Sequence, residues 1–133
     1  MKKYLYMLMP LSVAVVIWLV VDSDKRTLRT VLAVNSLPSE TRILDHATFS
    51  WTDYREEFLI SFSGNYEDLL VGREFMICDP PESSKKAAAG LKAHEEMKLK
   101  YCYGAGNWQS ALGAVTVLLN EERSKAVVVF DQD

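Results

Sequence analysis

The sequence predicts an α+β fold, with one N-terminal transmembrane helix followed by a small domain. In that domain we expect a mainly antiparallel sheet with two or three helices packed on it, all on one face. The prediction rests on three observations. The chain of 133 residues is the size of one ordinary domain, and an uncharged apolar run stands near its start. Beyond that run, short segments of alternating hydrophobicity outnumber the helical patterns.

The apolar run covers residues 4–21 and contains no charged side chain. Its 18 residues give a helix nearly as long as the hydrocarbon core of a bilayer. Lys2 and Lys3 precede the run, and no small-residue cleavage triplet follows Val21. We therefore expect an uncleaved signal-anchor, with a cleaved signal peptide and a buried soluble helix as the alternatives.

This interpretation predicts a single-pass protein of the cell (inner) membrane that contacts the bilayer through residues 4–21. Positive charges flank the run on both sides, so the charge distribution does not decide which end of the helix faces the cytoplasm. We expect the C-terminal domain to lie outside the cytoplasm, because the start is similar to a bacterial export signal. The expected organisation is a transmembrane signal-anchor at 1–21, an amphipathic stalk helix at 22–37 and a soluble domain at 38–133.

Periodicity predicts the secondary structure of the stalk and the domain. In the stalk, Leu28, Val31 and Leu32 share one helical face. This helix can orient the domain above the membrane, and it can equally pack on the domain. A helix from Ser83 or Ser84 through Met97 is expected to lie on the surface of the sheet. A short helix is expected over residues 65–72. A hairpin turn is expected over residues 53–56, with a single long strand through them as the alternative. Strands are expected at 48–52, 58–63, 75–78, 98–103, 114–119 and 126–130.

Composition limits the class of partner. There are 15 Lys and Arg residues against 18 Asp and Glu residues, which gives a net charge of -3. A nucleic-acid-binding domain usually has a basic face, so we expect no nucleic acid. Hydrophobic residues make up 49% of the chain and charged residues 25%, values that exclude a disordered chain.

The two cysteines, Cys78 and Cys102, fall in two different predicted strands. They can close a disulfide if the domain faces an oxidising compartment, and they can equally be free buried thiols. Their spacing does not match the paired C-x-x-C arrangement of a zinc site. A possible disulfide between them is therefore one of two open alternatives.

Catalytic and cofactor motifs are missing from the sequence. Asp45 and His46 can be drawn with Ser50 as a triad, but the G-x-S-x-G turn is absent. His94 lacks the second histidine of H-E-x-x-H, because Lys98 stands there. The glycine-rich residues 104–108 match no phosphate-binding loop. We therefore expect no cofactor, no metal site and no catalytic residue of defined role.

A protein-binding module is the function we favour from the sequence. Such a module would be an accessory subunit of an envelope complex, or an immunity or inhibitor-type partner. The expected partner-binding residues are Trp108, Tyr101 and Tyr103, because aromatic side chains dominate protein interfaces.

The alternative is a small extracytoplasmic hydrolase or thiol-redox protein. It would use Asp45 and His46, or Cys78 and Cys102.

An apolar N-terminal helix, an amphipathic extension and a following antiparallel sheet together resemble the layout of type IV pilin-like proteins. The resemblance is confined to layout. No glycine precedes the apolar run as a processing site, and no glutamate lies within the run. We therefore assign the chain to no family on this basis.

Overall fold

The computed structural model describes residues 15–16, 18–19, 23–50, 53–91, 98–106 and 113–132. Within them, six strands form one antiparallel sheet in the order β1-β2-β6-β5-β4-β3. β1 and β3 are therefore the two edge strands. The strands are β1 (Arg42–Ser50), β2 (Tyr54–Ser61), β3 (Met76–Ile77), β4 (Leu99–Ala105), β5 (Ala114–Asn120) and β6 (Lys125–Gln132).

The helical segments are short. Helix α1, as described, covers residues 23–32, and residues 15–16 and 18–19 are also helical. A 3-10 helix at Tyr66–Leu69 follows β2 and is capped by the Asn65 side chain, which accepts a hydrogen bond from the Glu67 backbone N–H. Helix α2 covers Glu82–Gly90 and stops at Leu91, whose backbone is extended.

The middle of the sheet is buried on both faces. β5 and β6 are near-continuous runs of β-branched and aliphatic residues, and a tight turn at residues 121–124 joins them. On one face, α1 packs Leu28 and Leu32 against Phe58, Ile60 and other side chains of the sheet.

On the opposite face, α2 packs Ala87 and Ala88 against the sheet, and Leu91, just beyond its end, joins them. Their partners in the sheet include Leu59 and Val127. The sheet is thus a middle layer with a short helix on each side. The expectation that the helices share one face is wrong.

The predicted fold class is also wrong. The structure is a six-stranded antiparallel sheet with short helices, and the α+β class with a transmembrane helix is corrected to that description. No helix among the described residues is long and apolar enough to cross a bilayer. The described residues therefore give no support to the expected signal-anchor or to a single membrane pass. Most of the predicted anchor at 4–21 lies outside the described residues, and localisation stays a prediction.

Two element boundaries differ from the sequence prediction in ways that matter for the site. The expected hairpin turn at residues 53–56 is mostly strand, because β2 begins at Tyr54. In addition, β1 begins at Arg42, before the predicted strand start at residue 48. The helix expected through Met97 ends at Gly90, and residues 92–97, which include His94, lie outside the described residues.

Candidate functional site

The β3 edge of the sheet exposes large apolar side chains. Met76 is 75% exposed and Ile77 is 86% exposed, and Val71 in the preceding loop is 74% exposed. Since successive side chains of a strand alternate between faces, Met76 and Ile77 lie on opposite faces of the same edge. Isolated exposed apolar residues are ordinary, but three within seven positions at a sheet edge are typical of a contact surface.

A disulfide between Cys78 and Cys102 fastens this edge. The two Cα atoms are 5.1 Å apart, and the Cys78 N–H donates to the Cys102 carbonyl over 3.0 Å. β3 pairs with β4 through only Met76 and Ile77. A two-residue strand has little stability by itself, so the covalent link holds it in register on β4.

The backbone of β3 has one outward-facing residue. In an antiparallel pair, alternate residues direct both their N–H and their C=O to the neighbouring strand. Because Cys78 bonds to β4, the adjacent Ile77 directs its N–H and C=O away from β4. Within the described residues no strand lies beyond β3. Ile77 therefore presents one donor and one acceptor at the edge, flanked by exposed apolar side chains.

The predicted partner-binding tyrosines lie one strand further in. Tyr101 and Tyr103 are half-buried on β4 and pack against the core on the α1 face. The Arg123 guanidinium stands 4.3 Å from the Tyr101 ring centroid and 4.7 Å from that of Tyr66. Burial raises the pKa of Tyr103, and a hydrogen bond with Tyr66 makes the next largest contribution to this increase.

These contacts place Tyr101 and Tyr103 in an aromatic–arginine stack beside the edge rather than at its tip. Trp108, the third predicted partner-binding residue, lies outside the described residues. The sequence did not predict Met76 and Ile77 as partner-binding residues. Apolar residues in a predicted strand are expected in the core, and their exposure follows only from the position of the strand in the sheet.

A second cluster joins α1 to strands β1 and β2. His46 Nδ1 lies 3.2 Å from Asp24 Oδ1, and His46 Nε2 contacts Glu56 Oε2. The Thr48 hydroxyl donates to Glu56 over 3.1 Å, and the Tyr54 hydroxyl donates to its other oxygen. Glu56 is buried, so these three contacts replace the water that its carboxylate would otherwise bind.

The pairing of His46 differs from the one drawn from the sequence. Its ring bonds to Asp24 and Glu56, whereas Asp45 accepts a hydrogen bond from the His46 backbone N–H over 2.9 Å. Within the described part of the chain, no serine or cysteine side chain bonds the His46 ring. No serine or cysteine nucleophile of the kind that a hydrolase needs is therefore bonded to this histidine among the described residues.

No group of three or more His, Cys, Asp or Glu side chains among the described residues is placed to hold a metal ion. The sequence does not predict the cluster around His46, because the pattern at Tyr54 and Glu56 favours a turn over a continuous strand. Their alternation with Phe58 along β2 was the available signal.

Comparison with known proteins found no match to any family model, curated protein or solved structure. Function is therefore argued from the chain's own residues.

Proposed function

We propose that this chain is a protein-binding module that works outside the cytoplasm and takes an extended segment of a partner protein onto its β3 edge. The observation that carries the proposal is the disulfide-held edge strand with Met76 and Ile77 exposed. Such an edge can accept a further strand through main-chain hydrogen bonds, while side-chain contacts provide selectivity.

The disulfide supports the proposed compartment. Disulfides persist in oxidising compartments and are rare in the cytosol of most organisms. The Cys78–Cys102 link also supports binding, because an edge that is already ordered loses less conformational entropy when a partner strand joins it. Accessory subunits of envelope complexes and immunity or inhibitor-type proteins are the roles that fit such a module.

The chemistry of the partner segment follows from the edge. Met76 and Ile77 favour apolar side chains on both faces of the incoming strand. Asp79 is exposed immediately beyond the disulfide, and the whole chain carries a net charge of -3. We therefore expect a short apolar segment flanked by lysine or arginine.

The hydrolase and thiol-redox alternatives have less support. Thr48 and Tyr54 both donate their hydroxyl hydrogens to Glu56, so neither is activated by His46. The two sulfurs are bonded to each other, and Cys102 is buried. A redox protein normally exposes one low-pKa thiolate for attack, and the buried Cys102 is poorly placed for that role.

Site-specific photo-crosslinking in the cells that make the protein tests the proposal. A benzophenone amino acid replaces Ile77 in one strain and Lys86, an exposed residue of α2, in the control strain. We expect one discrete adduct with another protein at position 77 and none of that mass at position 86. Equal adducts at both positions, or none at position 77, would overturn the proposal, as would an adduct of twice the chain mass.

A backbone variant separates strand addition from simple apolar contact. With the photoreactive residue at position 76, Ile77→Pro removes the outward N–H without removing a hydrogen bond to β4. Ile77→Ala shortens the side chain but keeps that N–H. We expect Ile77→Pro to abolish the adduct and Ile77→Ala to keep part of it. The reverse order would contradict strand addition.

A further inference from the structure

A cleft of about 310 Å³ lies between helix α1 and the chain segment that leads into β1. Lys25 and Arg29 line it from the helix, and Ser36, Glu40 and Thr41 are among the residues that line it from the other side. This volume is at the lower end of the range for small-molecule sites. The cleft is separate from the β3 edge in sequence and in the sheet.

Among the described residues, neither cation of the cleft has an ion-pair partner. Lys25 and Arg29 are four residues apart on the helix, so their side chains are neighbours and their charges repel. In the described part of the chain, no carboxylate lies within ion-pair distance of either side chain. Glu40 lines the same cleft without pairing to them. An anion between the two side chains would be attracted by both.

Both walls of the cleft are held in place by the fold. Leu28 and Leu32 are fully buried on the side of α1 that adjoins Lys25 and Arg29, which fixes the rotation of the helix and therefore the position of the two cations. On the other wall, the Thr41 hydroxyl donates to the Pro38 carbonyl over 2.6 Å.

The turn that forms this wall is also tied to the rest of the chain. The Ser39 carbonyl accepts hydrogen bonds from the N–H groups of Ser63 and Gly64. Glu40 adopts a left-handed backbone with φ of 55°, a conformation that costs a non-glycine residue energy and persists only where surrounding structure imposes it. The cleft is therefore preformed on both sides.

We infer that this cleft binds the oxyanion group, carboxylate or phosphate, of a small ligand. The planar guanidinium of Arg29 can bind such a group through two parallel hydrogen bonds, and Lys25 adds a second positive charge. The Ser36 hydroxyl, exposed at the cleft, can donate a further bond. Glu40 repels a second negative charge, so the site favours a ligand whose anionic group is at one end.

Nuclear magnetic resonance titration of the full chain at constant ionic strength tests this inference, with inorganic phosphate and acetate as the probes. We expect saturable shifts of the backbone amides of residues 25, 29, 36 and 41 with at least one probe. Arg29→Gln should weaken binding by about tenfold or more, and Arg29→Lys should restore part of it, since charge is kept and the two-bond geometry is lost.

Two further variants make the test specific. Glu40→Gln should tighten phosphate binding, because it removes a like charge from the cleft. Lys86→Gln makes the same change of charge as Lys25→Gln but on α2, and it should leave binding unchanged while Lys25→Gln weakens it. Shifts that do not saturate, that survive Arg29→Gln, or that weaken equally with Lys86→Gln would overturn the inference.

Discussion

The imidazole of His46 stacks on the phenyl ring of Phe58, with ring centroids 4.3 Å apart and ring planes 8° from parallel. The two residues are direct cross-strand partners in the β1–β2 pair. Because the ring cannot turn without losing this contact, its nitrogens stay aligned with Asp24 on one side and Glu56 on the other. His46 thus links helix α1 to a buried carboxylate of the sheet.

Removal of His46 is expected to destabilise the fold through Glu56. In His46→Leu the buried carboxylate keeps only the Thr48 and Tyr54 hydroxyls as partners. A buried polar group that loses a partner costs about 1–3 kcal/mol, and we expect a loss of that size in the free energy of unfolding at neutral pH. Urea denaturation of the variant and the unmodified chain measures it.

A double-mutant cycle with Glu56→Leu provides the control. If His46 acts by satisfying Glu56, its removal should cost much less once the carboxylate is gone. A coupling of about 0.5–3 kcal/mol is then expected between the two positions. Additive losses would mean that His46 stabilises the fold only by packing on Phe58.

Tyr54 is expected to ionise unusually late. A hydrogen bond to Glu56, then burial, then the charge of Glu56 raise its pKa from an ordinary 10.0 to about 12. Ultraviolet titration of phenolate formation should show one tyrosine with this late ionisation, and Tyr54→Phe should remove it from the curve. Glu56→Gln should move the late ionisation back toward 10. A curve unchanged by Tyr54→Phe would contradict the assignment.

The same shift has a defined sign for stability. The folded chain holds the Tyr54 proton more tightly than the unfolded chain does, so the contribution is fully present below pH 10 and is lost as the pH rises toward 12. Tyr54 is more than one third exposed, so solvent screening reduces the size of the effect. In Tyr54→Phe, stability should fall less steeply over this interval than in the unmodified chain.

Sequence patterns predicted the well-packed strands and missed the charged ones. β5 and β6 stand out because β-branched residues run almost without interruption and a polar turn separates them. The start of β2 was missed because residues 53–56 match a turn and the acidic pair Glu56 and Glu57 is typical of a solvated face. Both carboxylates are buried. The cost of burying the Glu56 carboxylate is offset by its contacts with His46 and Thr48 on β1. Such compensation depends on contacts that a local pattern does not contain.

The candidate site was predictable in part. The sequence raised a Cys78–Cys102 disulfide as one alternative, but the 5.1 Å approach of their Cα atoms depends on the pairing of β3 with β4. Exposure of Met76 and Ile77 depends on the order of strands in the sheet, which leaves β3 at an edge. Periodicity gives the face of a residue within its strand and not the position of that strand in the sheet.

Loss of the disulfide should weaken β3 more than the rest of the sheet. The bridged residues are 24 positions apart, and closing a loop of this order stabilises a fold by about 3 kcal/mol in the chain-entropy estimate. We expect a loss of that size when both Cys78 and Cys102 are changed to alanine.

Hydrogen exchange localises the effect. The amide of residue 78, which bonds to β4, should exchange faster in the double alanine variant. The exchange rates of the β6 amides should change only as much as the global free energy of unfolding changes. Unchanged exchange at residue 78 would mean that β3 holds its register without the covalent link.

Gly72 lies where the loop after the 3-10 helix passes the end of α1. A Cβ atom added there would stand 2.3 Å from the carbonyl oxygens of both Leu32 and Ala33, so one backbone segment has to move. Overpacking of this kind costs about 1–3 kcal/mol, and we expect Gly72→Ala to lower stability accordingly in thermal denaturation.

Gly90→Ala is the matched control, because nothing lies within 4 Å of its added Cβ. Gly90 ends α2, so this change should be neutral or gain up to about 1 kcal/mol. Equal melting temperatures for the two variants would show that the loop and the helix end are not in the close contact described.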